Sequence, residues 1–123
     1  MELKTLNEIE IISAPHSKIS EVDFENLTFG NVFTDHMLVC DYVDGAWQKP
    51  VIEPYAPFMI DPSAKVFHYG QAIFEGMKAY KDEQDDVWLF RPDENYHRFN
   101  KSATRMAMPE VPEDIFLGGL HRL

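Results

Sequence analysis

The apolar positions of this chain change period several times, and each change predicts an element. Ile9, Ile11 and Ile12 form a short apolar cluster that predicts a strand, broken by Pro15 and Ser17. Residues 1–22 are otherwise weakly patterned and read as an arm, with the body of the domain over 23–123. From Thr28 to His36 the chain is rich in turn formers, with Phe29 and Phe33 among them. Met37 to Val43 is a continuous β-prone run. Asp44-Gly45 is a hairpin signal, and Trp47 opens the return strand. Pro50, Pro54, Pro57 and Pro62 then come close together. Proline offers no N–H to a ladder, so they predict an edge strand and a connecting loop over about 50–62. Val66 to Tyr69 predicts one more short strand.

Met77 to Lys81 and Val87 to Phe90 predict two strands around the acidic turn Asp82-Glu83-Gln84-Asp85-Asp86. After them the period lengthens. Tyr96, Phe99, Ala103, Met106 and Ala107 recur at spacings of three and four, which predicts a helix over about 92–107. Pro92 suits its first turn, Asp93 and Glu94 complement its dipole, and Pro109 and Pro112 end it. Glu113 to Leu123 reads as a second helix carrying Ile115, Phe116 and Leu120. Gly118 and Gly119 inside it are a penalty of roughly 1 kcal/mol each. The elements together predict an α+β domain, a mainly antiparallel sheet with helices packed on it.

Composition narrows the function classes. With 45% hydrophobic and 13% aromatic residues the chain has material for a packed core, and its 123 residues suffice for one domain. A net charge of −10 argues against nucleic acid or an anionic membrane as partner and makes each arginine worth tracing. Cys40 is the single cysteine, so no internal disulfide forms, which fits a reducing, cytoplasmic compartment. The first twenty residues carry Glu2, Lys4, Glu8 and Glu10 where a leader would be apolar, and no run approaches the ~20 apolar residues of a membrane span.

The densest chemistry lies in two stretches. In His68-Tyr69-Gly70-Gln71-Ala72-Ile73-Phe74-Glu75-Gly76, glycines flank aromatics, which allows a ligand to approach the backbone closely. A strand bulge with core aromatics fits the same letters. Glu75 reads either as a catalytic carboxylate or as an acid paired to a backbone amide. In Leu89-Phe90-Arg91-Pro92-Asp93-Glu94-Asn95, followed by Arg98, a guanidinium lies in the first turns of a helix, where a dianion such as a phosphate ester is well held. Arg98, Lys101 and Arg105 share a helix face, so a solvated basic stripe is the competing reading. Asp35 and His36 are adjacent and would point to opposite faces of a strand, which argues against a catalytic dyad. Cys40 reads as a small buried residue. The five histidines show no metal-ligand spacing, and no Walker loop, GxGxxG turn or Ser/His/Asp nucleophile is present.

These blocks, in order, resemble the branched-chain amino acid aminotransferases, pyridoxal phosphate enzymes of fold type IV. The resemblance runs over residues 23 to 117 and is carried by Phe29-Gly30-Asn31-Val32-Phe33-Thr34-Asp35-His36-Met37, by Trp47-Gln48-Lys49-Pro50, by His68 through Tyr80, and by Leu89-Phe90-Arg91-Pro92 with Asn95, Arg98, Ser102, Arg105 and Met108-Pro109. It implies amino-group transfer between leucine, isoleucine or valine and 2-oxoglutarate, in a cytoplasmic homodimer or higher oligomer of amino-acid biosynthesis. It implies that Arg98 binds the cofactor phosphate, and that Phe29, Tyr69 and Phe74 line the substrate pocket. It also implies that the cofactor-bearing lysine belongs to a C-terminal domain. None of Lys4, Lys18, Lys49, Lys65, Lys78, Lys81 and Lys101 matches that position, so the chain reads as an N-terminal fragment, inactive alone and without a catalytic residue of its own. D-amino acid aminotransferases and aminodeoxychorismate lyases share the fold, but the block from Phe29 to Met37 speaks for the branched-chain group. A non-catalytic assembly module is the alternative of another class.

Overall fold

The computed structural model describes residues 9–123, in two compact units. One takes the described residues up to Phe58 together with Gly118–Leu123; the other is Met59–Leu117. The first eight residues of the predicted arm lie outside the described residues.

The first unit is built around Ile52. The predicted Ile9–Ile12 strand forms as β1 (Glu10–Ile11), and the Met37–Val43 run divides into β2 (His36–Val39) and β3 (Tyr42–Val43). Asp44 and Gly45 both take positive φ, 51° and 81°, the geometry of a two-residue hairpin turn. β4 (Ala46–Trp47) returns beside β3, and Tyr42 meets Trp47 edge to face at 5.2 Å. β5 (Val51–Pro54) corrects the sequence reading. It is the central strand of a three-stranded sheet in the order β1-β5-β2, parallel to β1 and antiparallel to β2. Pro50 lies before the strand and Pro54 is its last residue, so the interior residues Ile52 and Glu53 keep their N–H groups, and Ile52 is buried. Ile9 is buried as well, and Ile12 donates its N–H to Ile52 O at 2.8 Å.

Asp35 and His36 pin the segment that follows β1. Asp35 accepts from Ser17 Oγ at 2.6 Å and from the Lys18 N–H at 3.1 Å, while His36 Nε2 accepts from the Ala14 N–H at 2.9 Å. The Ser17 hydroxyl first, and then the Lys18 amide, hold the Asp35 carboxyl below its ordinary range. The two side chains thus take different hydrogen-bond partners in the segment that precedes them.

In the second unit the predicted Val66–Tyr69 strand is instead a helix, α1 (Lys65–Tyr69). Asp61 accepts from the Ser63 N–H and hydroxyl and starts the turn, and His68 Nε2 lies 2.8 Å from Pro62 O. Local turn chemistry thus outweighs the β-prone letters Val66, Phe67 and Tyr69. β6 (Ala79–Lys81) and β7 (Val87–Leu89) form the expected hairpin, with Asp82 accepting from Trp88 Nε1 at 2.6 Å. α2 (Pro92–Arg105) begins at the predicted proline. It ends earlier than the downstream prolines require. Met108 N–H reaches back to Ala103 O at 2.9 Å, and Ala107 takes φ 52°, a left-handed helix stop. Asn100, which is buried, bonds Val111 twice, donating to its carbonyl at 2.9 Å and accepting from its N–H at 2.8 Å. That clamp turns the chain into α3 (Glu113–Arg122), whose Phe116 packs on Phe99 and Tyr96 at 5.4 and 5.7 Å. Ala103 and Leu117 are buried here.

Gly119 belongs to the stretch of α3 that counts with the first unit, and the glycine now has a reason. A methyl placed on its Cα would overlap Leu38 Cδ2 of β2, so only glycine lets helix and strand approach this closely. The architecture is α+β, with antiparallel pairing everywhere except between β1 and β5.

Candidate functional site

Gly70 sets the backbone of the site. It closes α1 in the left-handed region at φ 58°, donating its N–H to Lys65 O. No neighbour restricts a side chain there; the φ itself demands glycine. Beyond it, exposure alternates residue by residue. Gln71, Ile73, Glu75 and Met77 are half-buried, and Ala72, Phe74, Gly76 and Lys78 are exposed. This is the period of an extended chain, and it sends Phe74 outwards and Glu75 inwards. Gln71 Nε2 ties the start of the segment to Met106 O at 2.8 Å, and Asn95 Nδ2 ties its end to Gly76 O at 3.2 Å.

Glu75 meets α2 there. Its carboxylate accepts from Arg98 Nε at 2.8 Å, from Arg98 Nη2, from Asn95 Nδ2 at 3.0 Å and from the Gly76 N–H at 3.1 Å. Asn95 and Arg98 are three apart on α2 and therefore share the face that Glu75 approaches. The Glu75 side chain is 6% exposed, whereas that of Arg98 is 67% exposed. The Arg98 guanidinium, helped by Asn95 and the Gly76 amide, overcomes the burial and holds the Glu75 carboxyl down to about 2. Glu75 in turn raises Arg98 above its ordinary value.

The contact is side-on, through Nε and Nη2. A guanidinium carries five N–H donors, so both hydrogens of Nη1 and the second hydrogen of Nη2 remain along its other edge. That edge matches two oxygens of a carboxylate or phosphate. At the head of the same helix, Arg91 takes a left-handed φ of 50° and pairs through Nη2 with Glu94 Oε1 at 2.9 Å. Lys101 and Arg105 are exposed, as the solvated-stripe reading expects of them; Arg98 departs from it by reaching Glu75.

The aromatic candidates divide between the units. Tyr69, the last residue of α1, and Phe74 belong with Arg98 to Met59–Leu117, and both are largely exposed. Phe29 belongs to the other unit, on a turn closed by the Asn31 N–H to Thr28 O at 3.2 Å, and is fully exposed. Cys40 is half-buried rather than buried, with Sγ 3.1 Å from Gln48 O. Among the described residues no three metal-ligating side chains gather, and no helix is long and apolar enough to cross a membrane. The sequence marks Glu75 and Arg98 separately. Their pairing joins residues 23 apart across a loop and a helix, and no periodicity announces it.

No family model matches the chain. Single proteins do. It is 52% identical over 102 residues to branched-chain-amino-acid transaminase 1 of Bacillus subtilis (strain 168), covering 82% of this chain and 29% of that protein. It is 49% identical over 108 residues to branched-chain-amino-acid aminotransferase 2 of the same organism, covering 87% and 30%. Over these residues the chain is a homologue of the branched-chain-amino-acid aminotransferases. The branched-chain-amino-acid aminotransferase of Mycolicibacterium smegmatis is 45% identical over 106 residues, 85% of this chain and 29% of that protein. The chain thus spans a little under a third of the length of these aminotransferases.

Proposed function

We propose that this chain is the cofactor-phosphate and substrate-side segment of a branched-chain-amino-acid aminotransferase, which transfers the amino group between leucine, isoleucine or valine and 2-oxoglutarate with pyridoxal phosphate. The observation that carries the reading is the Arg98 guanidinium. It is held at one edge by Glu75 and presents its other edge, on a side chain two-thirds exposed. That free edge is the donor set a phosphate dianion takes, so the residues present fit the group. Pyridoxal phosphate, when bound, supplies the electron sink for amino-group transfer.

The remaining roles fall to apolar surface. Phe29, Tyr69 and Phe74 project rings that leave water on contact with a branched aliphatic side chain, at ~0.8 kcal/mol per buried methylene. Exposed aromatics of this size also favour association into a homodimer or higher oligomer. The 123-residue chain by itself is expected not to transfer amino groups, because the resemblance assigns the cofactor-bearing lysine to none of its own seven.

A chimaera tests the reading. The matching segment of the Bacillus subtilis transaminase 1 is replaced by this chain, and leucine-to-2-oxoglutarate transfer is measured. An active chimaera that loses its cofactor on dialysis once Arg98→Ala is introduced supports the assignment. Cofactor retention unchanged by that substitution refutes it.

A further inference from the structure

In the Glu75–Arg98 pair the carboxylate is tucked inwards while its cationic partner faces solvent. Three donors besides the second arm of Arg98 hold it in place: Arg98 Nε, Asn95 Nδ2 and the Gly76 N–H. Asn95 also donates to Gly76 O, so the backbone that carries Glu75 is fastened to the helix that carries Arg98. A planar guanidinium gripped side-on at Nε and Nη2 cannot turn about its last bonds without breaking both contacts.

From this geometry we infer that Glu75 is the positioning residue of the anion site. It locks the plane of Arg98 and aims the Nη1/Nη2 edge at a tetrahedral oxyanion such as a phosphate ester. The inference rests on the reading of Arg98 as a phosphate ligand. Two effects of Glu75 on such a ligand oppose each other. Its negative charge repels the anion, and its grip spares Arg98 the loss of rotamer freedom on binding. Arg98 stands in solvent, so the repulsion is screened by water and salt, whereas an unheld arginine has all its rotamers to lose. Orientation therefore outweighs repulsion.

The sign of one substitution decides. Inorganic phosphate is titrated into the 123-residue chain while the side-chain N–H signals of Arg98 are followed by NMR. The Val111 amide, which Asn100 holds, serves as the internal reference for folding. Glu75→Gln removes a negative charge, so a bystander carboxylate predicts tighter phosphate binding. Positioning predicts weaker binding, by about tenfold, together with loss of the distinct Arg98 Nε–H signal. Glu75→Asp keeps the charge but shortens the reach and is expected to weaken binding as well. Unchanged or tighter binding in either folded variant overturns the inference. Loss of the Val111 reference in both variants makes Glu75 a folding residue and overturns it too. Arg98 signals in the unaltered chain that ignore phosphate at millimolar concentration refute the phosphate reading itself. Signals that respond equally with and without Glu75 refute only the positioning role.

Discussion

Replacing Gly119 by alanine sets two known effects against each other in one residue. In an ordinary helix interior, glycine to alanine stabilises by about 1 kcal/mol, because alanine loses less backbone freedom on folding. At Gly119 the added methyl would overlap Leu38 Cδ2, with Leu38 Cδ1 and Cγ each 3.4 Å away. The branched end of Leu38 stands over the glycine and must shift to admit the methyl. Overpacking of this kind costs about 1–3 kcal/mol. The net expectation for Gly119→Ala is a loss between about 0 and 2 kcal/mol. In a Leu38→Ala background the obstructing methyls are gone, and the same substitution should stabilise by about 1 kcal/mol. The assay is urea unfolding of the four proteins of the cycle followed by circular dichroism, with equal slopes required before free energies are compared. A coupling between the two sites of about 1–3 kcal/mol is the expected result. Stabilisation by the same amount in both backgrounds would refute the close approach of α3 to β2.

Two further outcomes follow from the second unit. Ala107 carries a left-handed φ that glycine adopts freely, so Ala107→Gly should stabilise by about 0.5–1 kcal/mol despite its more flexible unfolded chain, read as a rise in the urea midpoint; a fall contradicts the helix stop described for α2. The Glu75 carboxyl titrates near 2 in the folded chain and near its ordinary 4.5 when unfolded, so the unfolded state takes up the proton first as the medium is acidified. The contribution of the Glu75–Arg98 pair is therefore complete above about 4.5 and fades as pH falls towards about 2; a stability gap between the unaltered chain and Glu75→Gln that stays constant across this window is incompatible with the pair.

Elements defined by neighbours in the chain were legible from the letters alone. Asp44-Gly45 carries its own positive φ angles, the acidic turn at Asp82–Asp86 separates two β-prone runs, and Pro92 with Asp93 and Glu94 opens α2 where the apolar period becomes helical. Each of these depends on interactions within a few residues, which is the range that a pattern of letters encodes. The homology to aminotransferases was legible for another reason, since several blocks agree in order and spacing.

Where the letters misled, turn chemistry or distant partners decided. The prolines around β5 predicted an edge, yet they stand outside the strand or at its last residue, and β1 arrives from forty residues away to make the strand central. Val66–Tyr69 is β-prone in composition, but Asp61 and Gly70 bracket it as a helical turn. Gly119 looked like a defect in a helix until Leu38 occupied the space that its missing side chain leaves. Glu75 and Arg98 were each visible as candidates, and only folding made them one device. Interactions within a few residues, turn chemistry included, thus determined which elements this chain forms. The tertiary structure determined which strand is central, why a glycine is needed and which edge of an arginine is left for an anion, because those depend on contacts between residues far apart in the chain, which no local pattern specifies.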